Sequence, residues 1–420
     1  MFHFLKKISA DTKSLPIGVK LIVFVLFLRA FSWGFVDPYF SIFVDGFSQS
    51  YTGVGGLISI LSLTSLLATV PLMRLADKMK DTVIMRDAEV IYIFSILFYL
   101  LSAFTGKLSF LVLAFVLNGV GLPFMVVGAE TYIRKHVKIT GQTKSFAFYT
   151  AVDYLGWILG MLIGAFTVQY YGLKLMFLFV LPSAIAGLII LRHIRERGLK
   201  SMLWGFRKYF HNGHDFGLIY ENVKKLDKKT FFFLVISFFD GVIVMFSYIF
   251  IPLFALSINM DLKSIALLMA VMYMPFIFTF FISELTDRLK RMDVIAIGLI
   301  IGGVSFVFLS FLVGSFWIAI LATMKSVSLA ILRPAYNTML TRLTPRRNLG
   351  EITGLNNIAM RLGFVIGPVI TGMIADRYSI QVAFFAIAIF AFVLAATALS
   401  FKGFEKLKTE NICVVQKSLP

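Results

Sequence analysis

The sequence predicts an all-α membrane protein with twelve transmembrane helices in two pseudo-symmetric six-helix bundles. Three observations support this fold class: an apolar composition, twelve long apolar runs, and sequence features repeated half a chain apart. Hydrophobic residues make up 59% and charged residues 15% of the 420-residue chain, and the mean hydropathy is +0.88. Soluble domains average about 45–50% apolar and about 25% charged residues, so an integral membrane protein is expected.

Twelve apolar runs are long enough to cross a bilayer, which takes about 20 mainly apolar residues. Short polar turns separate them, except for one long basic connection between the sixth and seventh runs. The predicted spans are 20–45, 52–73, 88–106, 109–133, 145–168, 174–192, 230–257, 263–283, 293–312, 315–340, 353–374 and 380–401.

The long basic connection divides the chain into two predicted bundles. The predicted parts are an N-terminal segment 1–19, a first bundle 20–192, a linker 193–229, a second bundle 230–401 and a tail 402–420. Basic and aromatic residues mix in the linker. This mixture fits either an amphipathic stretch on the inner leaflet or a solvated connection.

Repeated sequence features indicate that the two bundles are homologous halves. The matching pairs are Asp77 with Asp287 at an offset of 210 residues, Pro123 with Pro334 at 211, and Gly156 and Gly160 with Gly363 and Gly367 at 207. Near-constant offsets predict an internal repeat. Inverted three-helix units are expected within each half, and the substrate site is expected between the halves near the midplane.

The distribution of Lys and Arg predicts the orientation in the membrane. Alternate connections and the two ends of the chain hold 32 of the 40 basic residues, whereas the opposite loops hold four: Lys107, Lys174, Lys263 and Arg377. Basic loops stay in the cytoplasm, so both termini are expected there, in a plasma membrane protein. Topology therefore accounts for the net charge of +18, and no nucleic-acid partner is expected.

The loop between the second and third spans carries the most informative motif. Leu75-Ala76-Asp77-Lys78 resembles part of the Gly-x-Leu-Ala-Asp-Arg-x-Gly-Arg-Arg loop of the major facilitator superfamily, although Met73 replaces the first Gly. The resemblance extends over essentially the whole chain and implies that family's fold. It also implies that Asp77 caps the start of the eleventh helix and gates the cytoplasmic side, with Asp287 as its counterpart.

A narrower resemblance is to the drug-exporter-like members of that superfamily. The region from Pro38 to Ile58 looks like their first and second helices. Two other exporter features are incomplete: Met161 follows Gly160 where antiporters have Pro, and Phe115 stands where they have an Arg linked to proton coupling. The direction of transport therefore stays open.

Glycines at every fourth position indicate surfaces for close helix packing, because small residues let two backbones approach. We expect this role for Gly156, Gly160 and Gly164 in the fifth span and for Gly363 and Gly367 in the eleventh.

Ionisable side chains inside the spans are the main functional candidates, since each costs about 2.5–3.5 kcal/mol to insert at a helix centre. Residues spaced i, i+4 and i+8 share one helix face. Two such stripes are Arg29, Trp33 and Asp37 in the first span and Tyr149, Asp153 and Trp157 in the fifth. Each stripe is expected to face protein or water and to avoid lipid.

The second half adds four more buried charges, which are Asp240, Lys325, Arg333 and Arg361. The complete set is therefore four cations and three carboxylates. This near balance predicts that the charges pair across the two halves. The substrate-cavity candidates near them are Trp33, Tyr149, Trp157, Tyr248 and Tyr336.

Buried carboxylates that change partners between two states could couple transport to protons, because desolvation favours the protonated form. The candidates are Asp37, Asp153 and Asp240, and Asp37 or Asp153 is the preferred proton carrier. The predicted function is secondary active transport of a small organic solute by alternating access, driven by protons and directed outward. The alternatives are proton-coupled uptake or facilitated diffusion of a sugar or other metabolite, and, more remotely, a membrane sensor that does not transport.

Other classes of protein are disfavoured by what the sequence lacks. It has no Gly-x-x-x-x-Gly-Lys-Ser loop for ATP phosphates, and its five His show no metal-ligand spacing. No nucleophile, base and orienting group occur together, so an enzyme is not expected. We expect neither a cofactor nor a metal, and we expect a monomer whose partners are a small-molecule substrate, protons and the lipid bilayer.

Overall fold

The computed structural model describes residues 16–76, 80–137, 139–194, 227–279, 290–312, 314–343 and 349–401. These residues form twelve α-helices and no strands. The helices are α1 Ile17–Ser48, α2 Tyr51–Ala76, α3 Asp81–Thr105, α4 Leu108–His136, α5 Ile139–Tyr171, α6 Met176–His193, α7 Lys228–Ser257, α8 Leu262–Ile277, α9 Arg291–Phe311, α10 Ser315–Leu343, α11 Leu349–Arg377 and α12 Ile380–Ser400.

The twelve helices confirm the predicted fold class. Within the described residues, eleven helices are long and apolar enough to cross a membrane, and α8 is a shorter apolar helix of 16 residues. Helices α3 and α5 begin seven and six residues before the predicted spans, at Asp81 and Ile139. Hydropathy marks only the apolar part of a helix, so their polar first turns were predicted as loops.

Helix contacts repeat between the two halves. In the first half α1 packs against α5, and α3 packs against both α4 and α6. The second half repeats this arrangement, with α7 against α11 and α9 against both α10 and α12. Across the halves α2 packs against α11, α5 against α8, and α1 against α7. The domain limits at both chain ends and in the linker stay predictions, because residues 1–15, 195–226 and 402–420 lie outside the described part.

The glycine stripes lie where helices cross within each half. A Cβ atom on Gly160 would overlap the backbone of Phe31 on α1, and one on Gly363 would overlap the backbone of Phe238 on α7. Gly156 and Gly164 also face the backbone of α1, while Gly367 faces Val242 of α7. The absence of side chains at these positions lets α5 approach α1, and α11 approach α7, in the same way.

The bundle has two ends, which we name by the chain. The terminal end is where α1 begins and α12 ends, and the distal end is where α1 ends and α2 begins. At the distal end, the Lys263 ammonium of α8 lies 4.6 Å from the ring centre of Phe166 on α5. The backbone N–H of Lys263 also donates to the side-chain oxygen of Gln169 at 3.3 Å. The two halves therefore touch at this end.

Candidate substrate and coupling site

The buried charges lie at two depths when residues are counted inward from the distal helix ends at 1.5 Å each. Asp37 and Lys325 are about 15–17 Å in, while Asp153, Asp240 and Arg333 are about 25–27 Å in. Helices α1, α5 and α7 pack across the boundary between the halves, whereas the main contacts of α10 are with α7, α8 and α9 of its own half. The substrate site near these residues stays a prediction.

Asp240 of α7 forms the most complete ion pair. Arg333 of α10 donates from Nε to Oδ2 at 2.8 Å and from Nη2 to Oδ1 at 2.9 Å. The Tyr336 hydroxyl donates to Oδ2 at 3.0 Å. Asp240 is wholly buried, whereas Arg333 is 28% exposed. The bidentate geometry satisfies the carboxylate and leaves part of the guanidinium exposed.

Arg333 also faces the other half of the protein. Its guanidinium carbon lies 5.6 Å from the ring centre of Phe276 on α8. Phe276 stacks on Tyr154 of α5, with ring centres 5.1 Å apart, and Tyr154 interacts with Arg333. The Asp240 pair therefore lies next to the contact between α5 and α8.

Arg29 of α1 pairs with Glu89 of α3, a residue that the sequence prediction missed. Arg29 Nη1 donates to Glu89 Oε2 at 2.9 Å, and the Arg29 guanidinium lies 4.2 Å from the ring centre of Tyr92. Both charged side chains are at most 5% exposed. Glu89 lies one residue inside the predicted third span, close to Arg86 and Asp87. An acid within a predicted span was nevertheless a usable signal.

The prediction that the buried charges pair across the halves is wrong for both of these pairs. Arg29 and Glu89 belong to the first half, and Asp240 and Arg333 belong to the second. Each pair therefore neutralises its charges within one half.

Asp37 is wholly buried at the boundary between the halves. Neither of its carboxylate oxygens has a hydrogen bond of ordinary geometry with a described residue. Tyr273 of α8 and Tyr248 of α7 face it from the second half. Asp37 is therefore a carboxylate of one half whose nearest recorded polar neighbours belong to the other.

Aromatic rings surround this carboxylate. Trp157 of α5 stacks on Tyr273 with ring centres 5.7 Å apart, and Phe40 of α1 lies 6.1 Å from Tyr248. Trp33 stacks on Tyr92 at 6.1 Å and meets Phe40 edge-on at 5.9 Å. The rings therefore extend from the Arg29 pair to Tyr248, which faces Asp37, along about two turns of α1.

The other predicted charges have fewer partners. Among the described residues, Asp153 and Lys325 have no recorded hydrogen bond or ion pair, and Lys325 is only 3% exposed. Tyr149 lies near Asp153. Arg361 of α11 donates from Nη1 to the Ser65 hydroxyl of α2 at 2.5 Å, so this cation does cross the boundary. The proposed gate residues Asp77 and Asp287 lie outside the described residues.

Comparisons with known proteins agree on the class. The family model for the Major Facilitator Superfamily matches residues 22–274 and 230–411. Multidrug resistance protein 1 of Bacillus subtilis is 24% identical over 369 residues, which are 84% of this chain and 88% of that protein. An uncharacterised MFS-type transporter of Methanocaldococcus jannaschii is 29% identical over 130 residues, about a third of each chain.

Solved transporters share the fold at low identity. The nucleoside transporter NupG aligns with a TM-score of 0.71 and 13% identity, over 92% of this chain and all of that one. A POT family transporter in complex with 5-aminolevulinic acid aligns with a TM-score of 0.72 and 13% identity, over 92% and 96% of the two chains.

Proposed function

The chain belongs to the Major Facilitator Superfamily, and we propose that it exports a small organic solute in exchange for protons. Family membership makes it a multi-pass membrane transporter rather than an enzyme. The observation that carries the finer proposal is Asp37, a wholly buried carboxylate whose recorded polar neighbours, Tyr248 and Tyr273, belong to the other half.

Asp37 supports proton coupling because a buried charge must be neutralised before the protein closes around it. A bound cation can neutralise the carboxylate, and so can a proton. When a cationic solute leaves on one side, a proton from that side takes its place, and the neutral carboxylate lets the halves return. One proton therefore enters for each solute that leaves, and the bare carboxylate does not cross.

The surroundings of Asp37 support a solute with an aromatic or apolar surface and a positive charge. Cations are attracted to the faces of Trp and Tyr rings within about 6 Å of the ring centre. Tyr248 and Tyr273 lie beside the carboxylate, and Trp157 stacks on Tyr273. Resistance to a drug follows when the drug is removed from the cell, so the likeness to a Bacillus subtilis protein named for multidrug resistance supports the proposed outward direction.

The proposed orientation has the terminal end in the cytoplasm, as the basic loops predict. We further propose that the protein is a monomer of the plasma membrane. Asp153 is the second proposed proton site, since no described residue is recorded as pairing with it.

A second candidate function is uptake of a metabolite, either with protons or by facilitated diffusion. Two sequence features support it: Met161 in place of the antiporter Pro, and Phe115 in place of the coupling Arg. The fold shared with the nucleoside transporter NupG at 13% identity makes a nucleoside a reasonable neutral probe.

The test uses proteoliposomes with a pH gradient of either sign. Exchange for protons predicts that ethidium, an aromatic cation, accumulates when the lumen is acidic. Proton-coupled uptake predicts that a neutral metabolite such as uridine accumulates when the exterior is acidic. Accumulation of uridine alone would replace the first proposal with the second, and movement of neither probe under any gradient would contradict both.

The carboxylate assignment is tested with Asp37→Asn, which keeps the shape and removes the titratable group. We expect gradient-driven ethidium accumulation to be lost. The matched control is Asp261→Asn, at the exposed N-cap of α8, where the facing Ser264 hydroxyl holds the pKa of Asp261 below its usual range. Full gradient-driven transport by a double variant, Asp37→Asn with Asp153→Asn, would show that neither carboxylate is the proton carrier.

A further inference from the structure

Asp376, in the last turn of α11, holds the start of α2 through both oxygens of its carboxylate. The backbone N–H of Tyr51 donates to Oδ1 and that of Thr52 donates to Oδ2, each at 2.8 Å. Tyr51 and Thr52 are the first two residues of α2. One side chain of the second half therefore binds two backbone donors of the first half, at the distal end.

The contact completes the hydrogen bonding of a helix start. The first N–H groups of a helix have no partner within the helix. The Ser50 hydroxyl accepts from Gly53 at 3.1 Å and the Ser50 carbonyl accepts from Val54 at 3.0 Å. Asp376 accepts the two donors that remain, and its negative charge lies at the positive end of the helix dipole.

Farther from the distal end, the backbones of α2 and α11 also lie close together. A Cβ atom on Gly55 would overlap the backbone of Pro368, and one on Gly372 would lie 2.6 Å from the carbonyl oxygen of Tyr51. Further in, the Ser59 hydroxyl donates to the Val365 carbonyl at 2.7 Å. The two helices meet almost backbone to backbone, which positions the carboxylate over the helix start.

We infer that Asp376 is the latch of a distal gate, a residue that holds the halves together at this end and must release α2 for the distal side to open. Its partners are backbone groups of the opposite half, so the contact cannot survive separation of α2 from α11. The inference needs only that the two halves separate at the distal end during transport. It does not depend on the proposed solute, proton coupling or direction.

The size of the effect follows from helix capping. Loss of a capping side chain shifts the equilibrium that the cap stabilises by about 2- to 30-fold. Removing the Asp376 carboxylate is therefore expected to raise the ratio of distal-open to distal-closed protein about 2- to 30-fold. The Asn variant, which keeps one acceptor oxygen and loses the charge, is expected to have a smaller effect.

The test measures how fast a hidden thiol reacts. The sole native cysteine is first removed by Cys413→Ser. A new cysteine is then introduced by Ser59→Cys. Its thiol reports opening of the distal side, because Ser59 is only 6% exposed within the α2–α11 contact. For a rarely opened site, the labelling rate with a water-soluble maleimide is proportional to the open fraction. We expect Asp376→Ala to label about 2- to 30-fold faster, and the exposed site Lys107→Cys to label at an unchanged rate.

Two further variants separate the latch from a general loss of structure. Thr52→Pro removes one of the two donors, and Pro is tolerated in the first turn of a helix. It should also speed labelling, and it should add little to Asp376→Ala because both remove the same contact. Asp45→Asn is the control, since Asp45 lies near Asp376 but its carboxylate has no recorded hydrogen bond to α2.

The inference is overturned if Asp376→Ala and Thr52→Pro both label at the parent rate, or if Asp45→Asn accelerates labelling as much as Asp376→Ala does. If Asp376→Ala does not fold, Asp376→Asn and Thr52→Pro decide the outcome by the same measurement. A transport assay is not needed for either result, so failure of the proposed function would leave this test intact.

Discussion

At the scale of single residues, the buried charges fall into two groups. Arg29 with Glu89, and Arg333 with Asp240, are hydrogen-bonded pairs inside one half. Asp37 has no such partner and lies among residues of both halves. The charge of Asp240 is neutralised by Arg333 within the second half, whereas the recorded polar neighbours of Asp37 belong to the opposite half. We therefore propose Asp37 rather than Asp240 as the site of proton coupling.

The Asp240 pair makes a prediction about stability. Asp240→Asn leaves the Arg333 charge without its carboxylate, and removal of one partner of a buried pair costs about 3–5 kcal/mol. We expect a marked fall in the melting temperature of the purified protein. Tyr336→Phe removes only one hydrogen bond to the same carboxylate, and it is the matched control with a smaller expected fall. A double variant, Asp240→Asn with Arg333→Gln, should recover much of the loss, and a melting temperature below that of Asp240→Asn would argue against the pair.

At the scale of elements, each half contains one close helix crossing lined by glycines, and the two crossings are equivalent. Gly160 of α5 lies against the Phe31 backbone of α1, and Gly363 of α11 lies against the Phe238 backbone of α7. Because the neighbour is backbone at both crossings, it cannot move aside as a flexible side chain could. The spacing of glycines predicted such a surface, and the structure identifies the helix that each glycine faces.

The α1–α5 crossing predicts a contrast between two glycines. Gly160→Ala would push α5 away from α1, so we expect lower thermal stability and a loss of folded protein in size-exclusion chromatography. Gly56→Ala in the interior of α2 meets nothing within 4 Å. It should leave stability unchanged or raise it by about 0.5–1 kcal/mol, because Ala favours the helix more than Gly does. Equal behaviour of the two variants would contradict the assigned crossing.

At the scale of the whole molecule, several contacts join the two halves from the distal end inward. They include Asp376 with α2, Lys263 with Gln169, and Trp157 stacked on Tyr273. The structure is therefore closed at its distal end. Alternating access requires these contacts to open in another state, in which the solute site faces the distal side.

The α5–α8 contact at the distal end predicts an effect of cross-linking. A variant with Gln169→Cys and Lys263→Cys, in the Cys413→Ser background, can be bridged by a short bifunctional thiol reagent. We expect the bridge to stop transport by preventing distal opening, and reductive cleavage of a disulfide-containing reagent to restore it. Each single cysteine variant treated alike is the control. Undiminished transport by fully bridged protein would exclude opening between α5 and α8.

The sequence by itself determined the membrane class, the twelve helices and most of the buried charged residues. Each of these follows from the transfer of individual side chains between water and an apolar environment, which can be judged one segment at a time. The predicted starts of α3 and α5 were less accurate than those of the other helices. These helices begin at Asp81 and Ile139, in turns outside the apolar region that leave no hydropathy signal. Glu89 is different, since it lies inside the predicted third span and its charge was a signal that the prediction did not use.

Only the tertiary structure decided which charges are partners. Asp240 could have paired with Arg29, Lys325 or Arg333 on the basis of charge alone, and the sequence favoured pairs across the halves. The choice depends on which helices are neighbours and how they are rotated, and these are long-range properties absent from any local pattern. The same reason explains why Asp376 stood unnoticed at the end of a span, since its role depends on the start of α2, 325 residues away in the chain.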